Sequence, residues 1–373
     1  MVMKIALDVS ALPPRLAGAG RYVAELAQRL PSLAEVTIVA RRNDAERWRT
    51  LSSAPVVPMV ANHRAVRLVD EAFRVGRSSV ARRSDVWHAP HYTMPRTGHR
   101  PTVVTIHDLT FFTNPEWHEP AKVAFFQRAI RYAAAHADAL VCVSAFTAGE
   151  LTEHVQVNAP VFVAPHGVDH HRFSPSGDDA WTLATADLTP TAPFVLFVGT
   201  LEPRKGIDVL LEAFATVASN DSAVELWLVG QPGWGLDAIE TALRDHPFAA
   251  RIKRLGYVAD DVLPALYRTA SVVAYPSRGE GFGLPVLEAL ACGALVVTSA
   301  DTVMAEVAAD TAVLTPVGDA PALATAITDL LGTTEDVRAR RERASEHAAT
   351  FTWERSVHVH MQAYAAALAR HRS

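Results

Sequence analysis

Short apolar runs alternate with segments of helical periodicity along almost the whole chain. Such alternation is typical of β-strands joined by crossover helices, so it predicts an α/β protein whose parallel sheets carry helices on both faces. Ligands of such sheets bind at the carboxyl ends of the strands. The predicted strands lie at 3–9, 36–40, 56–60, 86–88, 102–106, 139–143 and 161–164, and then at 193–199, 224–229, 252–257, 271–275, 295–298 and 312–315.

The two series of strands are separated by residues 174–193, which are rich in Pro, Ser, Thr, Asp and Gly. This composition is expected of a boundary between two compact units. We therefore predict one doubly wound domain over 1–175 and a second over 190–352. The 373 residues are enough for both.

Composition narrows the class of protein. A net charge of −5 argues against a nucleic-acid partner, which usually leaves a basic footprint on the binding domain. Cys142 and Cys292 lie far apart in apolar runs, which indicates reduced core thiols. We find no signal peptide and no apolar run long enough to span a bilayer. These features predict a cytoplasmic protein.

The stretch 277–289 combines several features that an ordinary core segment does not combine. A predicted strand precedes it, three glycines break the chain between 279 and 283, and Pro285 opens a periodic segment that Gly293 closes. Proline suits the first turn of a helix, and glycine suits the residue just past its end. Backbone N–H groups then converge where the helix dipole favours negative charge. The pattern predicts a site for a phosphate or a polyhydroxyl ligand.

Two carboxylates belong to this stretch, Glu280 in the glycine loop and Glu288 in the first turn of the predicted helix. Helical side chains lean toward the N-terminus, so both can reach the same small volume. A carboxylate repels a phosphate but accepts hydrogen bonds from neighbouring hydroxyls, such as sugar and ribose diols. An ordinary tight turn would account for Glu288 and Pro285 but would leave Glu280 and the three glycines unused.

The arrangement of a Glu, seven residues and a second Glu, with G-F-G-L-P between them, resembles the signature of the family 4 retaining glycosyltransferases. The resemblance implies the GT-B fold, with two Rossmann-like domains that face a cleft. It also implies that Glu280 lies near the donor sugar and that Glu288 binds the nucleotide ribose. The backbone at Phe282 and Gly283 would contact sugar hydroxyls. The helix N-terminus at Leu284 to Val286 would stabilise the diphosphate, which makes Leu284 a further donor-binding candidate.

A second glycine loop follows the first predicted strand and contains Gly18 and Gly20. It is similar in part to a dinucleotide fingerprint, but its third glycine is missing, two prolines lengthen it, and Arg41 and Arg42 stand where an acidic ribose ligand is expected. This argues against a nicotinamide cofactor. In the resembled family the loop faces the donor phosphates, so Gly18 and Gly20 become donor-binding candidates, with a plain tight turn as the alternative.

Four histidines, at 88, 91, 107 and 118, stand in or beside the loops that follow two strands. No Asp/Glu/His set with metal-ligand spacing accompanies them, so we predict no metal site and expect such histidines to donate hydrogen bonds to sugars. The resemblance implies that His107 contacts the donor sugar, with its backbone carbonyl near the reacting carbon. Asp108 is expected to cap or orient this loop. Trp117 and His118 either stack on an acceptor sugar or close a local core.

The first loop of the second series reads G-T-L-E-P-R-K-G, from Gly199 to Gly206. Arg204 and Lys205 need an anionic partner, and a ligand explains them better than Glu202, because residues so close in sequence rarely satisfy each other well. The segment resembles the family's diphosphate-binding loop. The resemblance implies that both cations grip the leaving nucleoside diphosphate. Thr200 stands where many members carry Arg, so that contact is not carried over.

Three further features follow from the resemblance. Tyr257 and Val258 are candidates for contacts with the nucleotide base, with core packing as the alternative. His166 stands in the family's usual Asn position and receives no role. The segment 353–373 has the pattern of an amphipathic helix, and GT-B chains typically send this helix back onto the first domain.

Residues 62–83 form a basic amphipathic stretch that also contains two acidic residues. It suits contact with anionic lipid or with a polyprenyl-phosphate acceptor, and the alternative is an ordinary solvated helix face. Its arginines are Arg64, Arg67, Arg74, Arg77, Arg82 and Arg83.

Together with these patterns, the resemblance implies a hexosyltransferase of polysaccharide biosynthesis that needs neither metal nor cofactor. We expect it to work in the cytoplasm, with peripheral contact at the inner face of the membrane as an open alternative. Arg204 and Lys205 would stabilise the leaving diphosphate, and Glu280 and His107 would flank the oxocarbenium. The loop variants look most like bacterial mannosyltransferases, which favours GDP-mannose over UDP-glucose and its relatives. A glycan or a lipid-linked sugar would be the acceptor. The alternatives are a GT-B nucleotide-sugar epimerase and a non-catalytic two-lobe sugar-binding protein.

Overall fold

The computed structural model describes residues 2–12, 18–63, 66, 70–96, 100–332 and 337–372. The chain divides into two compact units. The first unit comprises Met1–Gly167 together with Trp353–Ser373, and the second comprises Val168–Thr352. Residues 168–175, which were predicted to belong to the first domain, fall in the second unit.

The first unit contains a seven-stranded parallel sheet with the order β3-β2-β1-β4-β5-β6-β7. Its strands are β1 Lys4–Asp8, β2 Glu35–Arg41, β3 Val56–Val60, β4 Val86–Ala89, β5 Thr102–Ile106, β6 Ala139–Cys142 and β7 Val161–Val163. Its α-helices are Ala19–Arg29, Ala45–Leu51, Ser79–Arg83, Thr110–Thr113, Pro120–His136, Ala145–His154 and Trp353–Arg372.

The second unit contains a six-stranded parallel sheet with the order β10-β9-β8-β11-β12-β13, which is the doubly wound Rossmann order. Its strands are β8 Phe194–Val198, β9 Glu225–Val229, β10 Ile252–Gly256, β11 Val272–Tyr275, β12 Val296–Ser299 and β13 Val313–Thr315. Its α-helices are Asp179–Thr185, Ile207–Asn220, Leu236–Arg244, Leu263–Thr269, Leu284–Ala291, Val303–Ala308, Ala320–Gly332 and Val337–Ala348.

The alternation read from the sequence is confirmed in both sheets. Every residue of β5 and of β8 is buried, as expected for parallel strands covered by helices on both faces. In the first unit this produces two hydrophobic clusters, one that includes Leu7 and Leu26 and another that includes Val104 and Ile130. Cys142 and Cys292 are buried free thiols, as predicted.

The C-terminal helix, Trp353–Arg372, is part of the first unit. It contacts β4 to β7 and the helix Ala19–Arg29. Trp353, Val357 and Tyr364 are buried in the same cluster as Leu7. The first unit is therefore completed by residues from both ends of the chain.

The basic stretch is described only in part, because Arg64 and Arg67 lie outside the described residues. Over the rest, a turn of π-helix spans Asp70–Arg74, a 3₁₀ turn spans Val75–Arg77, and the helix Ser79–Arg83 follows. The remaining arginines of this stretch are exposed. Among the described helices, none is both long enough and apolar enough to cross a membrane.

Candidate active site

Two loops meet at the carboxyl edge of the second sheet. β8 and β11 are neighbours, and the chain order reverses between them, which is the position where doubly wound sheets bind ligands. The loop after β8 carries Arg204 and Lys205, and the loop after β11 carries Glu280. The backbone N–H of Arg278 donates to the carbonyl oxygen of Arg204 over 2.8 Å and joins the two loops.

Gly206 allows these loops to approach. Its φ is +71°, and a Cβ built there would lie 2.1 Å from the carbonyl oxygen of Pro276. Only glycine fits both the left-handed backbone and this contact. The two segments that the sequence analysis singled out are thus packed directly against each other.

Three side chains donate hydrogen bonds to the carboxylate of Glu280, and a fourth, Arg204, forms an ion pair with it. Arg204 contacts Oε2 over 2.9 Å. Ser277 and Tyr275 donate to Oε1 over 2.7 and 3.0 Å, and the Lys205 ammonium also contacts Oε1. Burial alone would raise the pKa of Glu280, but Arg204 and Lys205 lower it to about 2. The carboxylate is therefore ionised and held by the protein itself.

Lys205 is 8% exposed, and its Nζ donates to the hydroxyl of Tyr275 over 2.7 Å as well as to Glu280. Burial lowers the pKa of Lys205, and the charge of Glu280 opposes that shift. An ammonium has three protons. Within the described residues, the contacts with Tyr275 and Glu280 use two of them and leave the third available.

Arg204 has an additional partner that the sequence analysis discounted. Its guanidinium contacts Glu202 over 2.8 Å as well as Glu280. The expectation that residues so close in sequence would not pair well was wrong, because the 3₁₀ turn Pro203–Lys205 turns the arginine back over Glu202. The cluster therefore pairs two cations with two carboxylates before any ligand arrives.

The helix Leu284–Ala291 follows these loops, and Gly283 caps it with a φ of +91°. Phe282 is buried, so this residue can offer a ligand only its backbone. Glu288 is the fifth residue of the helix, so its predicted place in the first turn was wrong, because the helix begins one residue before Pro285. Glu288 is 4% exposed, and its carboxylate accepts a hydrogen bond from Tyr267 over 3.4 Å.

Tyr257 and Val258 follow β10, two strands from β8 in the sheet. Tyr257 is 66% exposed, and its hydroxyl donates to Asp260 over 3.2 Å. The alternative of core packing is therefore excluded for Tyr257. An exposed phenol ring at the carboxyl edge of the sheet is available for stacking.

In the first unit, His107 directly follows β5 and is buried. Its Nε2 lies 2.8 Å from the carbonyl oxygen of Pro90, so this nitrogen carries the proton. Burial lowers the pKa of His107, and the ring is neutral near pH 7. Its Nδ1 is then a hydrogen-bond acceptor, whereas the sequence analysis expected a donor. The backbone carbonyl of His107 accepts a bond from the hydroxyl of Thr147 over 3.3 Å.

The loop after His107 is held by local contacts. Asp108 accepts hydrogen bonds from the N–H and the hydroxyl of Thr110, over 3.1 and 2.7 Å. His118 lies 2.9 Å from the same hydroxyl and packs on the ring of Phe111. Trp117 is half-buried in the 3₁₀ turn Pro115–Trp117. For His118, these contacts correspond to the local core that the sequence analysis weighed against an acceptor site.

Gly18 and Gly20 lie at the start of the helix Ala19–Arg29, which is the first α-helix after β1 in the chain. Gly18 is exposed with a φ of +36°, and Gly20 is buried in the first turn. The proline-rich residues 13–17 of this loop lie outside the described residues. Among those that are described, no group of three or more His, Cys, Asp or Glu side chains could hold a metal ion.

Several site residues were not anticipated from the sequence. Tyr275 and Ser277 flank Pro276 just before the glycine loop. Their position at the carboxyl end of a strand could have identified them as site residues, because ligands of parallel sheets bind there. Arg278 forms a two-pronged ion pair with Asp208, over 2.9 and 2.6 Å. No sequence pattern links those two residues, which are 70 positions apart.

Two family descriptions match the chain. Residues 16–172 match Glycosyltransferase Family 4, and residues 192–333 match Glycosyl transferases group 1. Together the two matches take in most of the chain, and each falls largely within one of the two units.

Curated relatives resemble the chain over different lengths. O-antigen chain mannosyltransferase B of Escherichia coli is 28% identical over 97% of this chain and 99% of its own length. The D-inositol 3-phosphate glycosyltransferase of Geodermatophilus obscurus is 36% identical over 62% of this chain. The serotype-specific mannosyltransferase WbdA of Escherichia coli is 31% identical over 68% of this chain. The chain spans 53% of the second relative and 32% of the third.

Solved structures share the architecture. The sucrose-phosphate synthase of Thermosynechococcus elongatus is 21% identical with a TM-score of 0.78, over 97% of this chain and 98% of that one. Anabaena Alr3699/HepE in complex with UDP-glucose is 22% identical with a TM-score of 0.77, over 96% and 98%. The α/β GT-B fold with two Rossmann-like domains, which the motif implied, is confirmed.

Proposed function

Because the chain belongs to the family 4 glycosyltransferases, we propose that it is a retaining mannosyltransferase that moves mannose from GDP-mannose to a glycan or lipid-linked acceptor. The acceptor would be a growing polysaccharide or its lipid-linked precursor. The observation that carries the proposal is the cluster of Arg204, Lys205 and Glu280 at the switch point of the second sheet.

In the proposed reaction, the bond between the anomeric carbon and the diphosphate breaks, and a bond from that carbon to the acceptor oxygen forms on the same face of the sugar. The acceptor proton passes to an oxygen of the leaving diphosphate. Arg204, Lys205 and the N-terminus of the helix Leu284–Ala291 stabilise the negative charge that develops there. The chain then needs no divalent metal for this task.

Each ionic partner has a defined part in this proposal. Glu280 holds both cations in place and keeps them charged, because its pKa of about 2 leaves it ionised at all physiological pH values. Preformed cations cost no reorganisation when the diphosphate leaves. Glu288 is assigned to the ribose hydroxyls, the backbone at Phe282, Gly283 and Leu284 to the sugar and the diphosphate, and Tyr257 with Val258 to the base.

His107 is assigned to the donor sugar, and Gly18 and Gly20 are assigned to the donor phosphates. The neutral His107 donates its Nε2–H to the carbonyl oxygen of Pro90, so its Nδ1 accepts a hydrogen bond from a sugar hydroxyl. The neutral ring carries no charge that would repel an oxocarbenium. Trp117 is assigned to the acceptor, whereas His118 keeps its local contacts with Thr110 and Phe111.

The choice of sugar rests on the relatives. Two of them, O-antigen chain mannosyltransferase B and WbdA, carry mannosyltransferase names. UDP-sugars are the competing donors, because Alr3699/HepE was crystallised with UDP and glucose and with UDP-glucose. Both donors present the same diphosphate to Arg204 and Lys205, so the base and the sugar decide between them.

A lipid-linked acceptor would bring the protein to a membrane surface at the cytoplasmic side. The exposed arginines Arg74, Arg77, Arg82 and Arg83, with the half-exposed Phe73 beside them, suit anionic headgroups. Flotation with anionic vesicles should carry the protein upward at low salt and not at high salt. An ordinary solvated face would leave the protein unbound at both.

The proposed activity can be followed by proton NMR of GDP-mannose or UDP-glucose with octyl α-mannoside as acceptor and excess chelator present. An α-linked product and free nucleoside diphosphate are expected, and Glu288→Gln should lose most of this turnover. A β-linked product or a strict need for metal would contradict the mechanism. Epimerisation of the donor without acceptor would favour the epimerase, and binding without turnover would favour a sugar-binding protein.

A further inference from the structure

The C-terminal helix is tied to the first unit by buried hydrogen bonds rather than by apolar packing alone. Nδ1 of His360 lies 2.7 Å from the carbonyl oxygen of Ser356, one turn earlier in the helix. Its Nε2 lies 2.6 Å from the hydroxyl of Tyr22, which belongs to the helix Ala19–Arg29. Tyr22 in turn lies 2.9 Å from the hydroxyl of Thr105 on β5.

The contacts continue across the sheet and return to the same helix. The hydroxyl of Thr105 lies 2.9 Å from Nε2 of His88 on β4. Nδ1 of His88 lies 2.9 Å from the hydroxyl of Tyr364, one turn beyond His360. Each of these side chains is completely buried. The contacts form a circuit that leaves the C-terminal helix at His360 and re-enters it at Tyr364.

The direction of every bond in the circuit follows from one carbonyl. The Ser356 carbonyl can only accept, so His360 carries its proton on Nδ1, and its Nε2 must accept from Tyr22. Tyr22 then accepts from Thr105, and Thr105 accepts from Nε2–H of His88. Nδ1 of His88 accepts from Tyr364. Each proton has one acceptor, provided that both histidines are neutral.

The surroundings keep these histidines neutral. Burial lowers the pKa of His360 to about 4 and holds the pKa of His88 well below its ordinary value. The titratable groups that face them are other rings, namely Tyr22, Tyr364, His107 and His166. Burial holds the pKa of His166 well below its ordinary value as well.

One member of the circuit, Tyr22, packs against His107, to which the proposed function gives a role at the donor sugar. The ring of Tyr22 stands edge to face with the ring of His107, with 5.2 Å between their centroids. Pro90 fixes one edge of the imidazole, and Tyr22 packs against the ring. The position of Tyr22 is set by its bonds to Thr105 and His360, so a shift of the C-terminal helix would move the tyrosine that contacts His107.

We propose that Tyr22 is a positioning residue for His107 and that the hydrogen-bond circuit through His360 and His88 makes the C-terminal helix part of the apparatus that holds it. The catalytic half of this inference rests on the function proposed for His107. The direction of the hydrogen bonds in the circuit does not depend on that function.

Protonation would break the circuit. A proton on Nε2 of His360 would turn this acceptor into a donor and leave the hydroxyl proton of Tyr22 without an acceptor. The folded-state pKa lies below that of about 6.5 in the unfolded chain, so the unfolded state binds more protons between pH 6.5 and about 4. The stability contributed by neutral histidines is therefore present above pH 6.5 and is lost as the pH falls toward 4.

Side-chain nitrogen NMR of the full chain labelled with ¹⁵N-histidine tests the circuit without an assay, with His360→Gln and His88→Gln used for assignment. We expect His360 as the Nδ1–H tautomer and His88 as the Nε2–H tautomer, both unprotonated at pH 6. The opposite tautomer at His360, or a charged ring, would overturn the circuit. His358→Gln removes an exposed histidine from the same helix and should leave the other signals unchanged.

A double-mutant cycle tests the positioning role. Tyr22→Phe keeps the ring but removes both hydrogen bonds, and we expect kcat to fall about tenfold, with a smaller change in KM for the nucleotide sugar. In the His107→Ala background the same change should cost nothing further. An equal loss in both backgrounds would overturn the positioning role. Complete inactivity of the wild type would refute the proposed function, while the tautomers would still decide the circuit.

Discussion

Glu280 is a residue whose surroundings define its task. Its carboxylate forms ion pairs with Arg204 and Lys205 and accepts hydrogen bonds from Tyr275 and Ser277. It therefore has little capacity left for sugar hydroxyls. Its main effect is to keep two cations ordered at the edge of a sheet. Glu280 lies at the predicted edge of the sheet, but its lone pairs were assigned to a ligand. The pairing with Lys205 could not be read from a local pattern, because the two residues are 75 positions apart.

Replacing Glu280 by Gln should destabilise the protein near pH 7 by about 3 kcal/mol, because the change leaves two buried cations without their shared partner. The folded-state pKa of about 2 lies below the unfolded value, so this stabilisation is present above about pH 4.3 and is lost as the pH falls toward 2. Urea unfolding of both proteins across this range measures the difference.

The matched control is Glu240→Gln, which removes an exposed carboxylate paired with Arg254 over 2.7 Å. Exposed pairs of this kind contribute less than about 1 kcal/mol. If Glu280→Gln cost no more than this control, or if its cost did not shrink with acid, the ionic cluster would not be the organising contact of the site.

Residue-level chemistry was the least predictable part of the chain. The pattern around His107 indicated a loop histidine near a ligand, but its role as an acceptor depends on Pro90, which follows a different strand. The pairing of Arg204 with Glu202 depends on a single 3₁₀ turn. Both outcomes are set by contacts between segments, which a local pattern does not contain.

At the scale of elements, the site is the contact between the loop after β8 and the loop after β11. Their adjacency follows from the strand order, and the predicted strands agree with the observed ones to within one or two residues. Parallel strands are buried on both faces, so their sequence signal is strong. The start of the helix at Leu284, one residue before Pro285, fell within the usual uncertainty of helix ends.

Gly206→Ala should destabilise the contact between the two loops by more than the cost of a left-handed backbone conformation. The positive φ costs about 1–2 kcal/mol for any other residue. The added Cβ would also meet the Pro276 carbonyl, so we expect a further loss of roughly 1–3 kcal/mol and weaker binding of nucleoside diphosphate. Thermal unfolding and titration with GDP measure the two effects.

Gly318→Ala serves as the control, since Gly318 has a φ of +81° and no atom within 4 Å of the added Cβ. Gly318→Ala should lose only the stability that a positive φ costs, because its Cβ meets no other atom. It should bind GDP like the wild type. Equal effects of the two substitutions would mean that the approach of the loops is not critical.

At the scale of the whole molecule, the chain forms two units, and the first of them takes its last helix from the C-terminus. The two series of predicted strands indicated the division into two units. The amphipathic pattern of 353–373 indicated the last helix. The buried circuit that ties this helix to Tyr22 could not be foreseen. It joins Tyr364 to His88 and Tyr22 to His360, which are 276 and 338 positions apart and share no sequence pattern.

The claim on which the account depends is that the second unit binds a nucleoside diphosphate through Arg204 and Lys205. Its most direct test is calorimetric titration of the whole chain with GDP and UDP in the presence of chelator, for the wild type, Lys205→Met and Lys253→Met. Lys253 is a fitting control, because it also pairs with a carboxylate, over 2.8 Å, and lies over an aromatic ring. We expect Lys205→Met to weaken binding at least about tenfold and Lys253→Met to leave it unchanged. Binding that is absent from the wild type, or that is equal in all three proteins, would contradict the account.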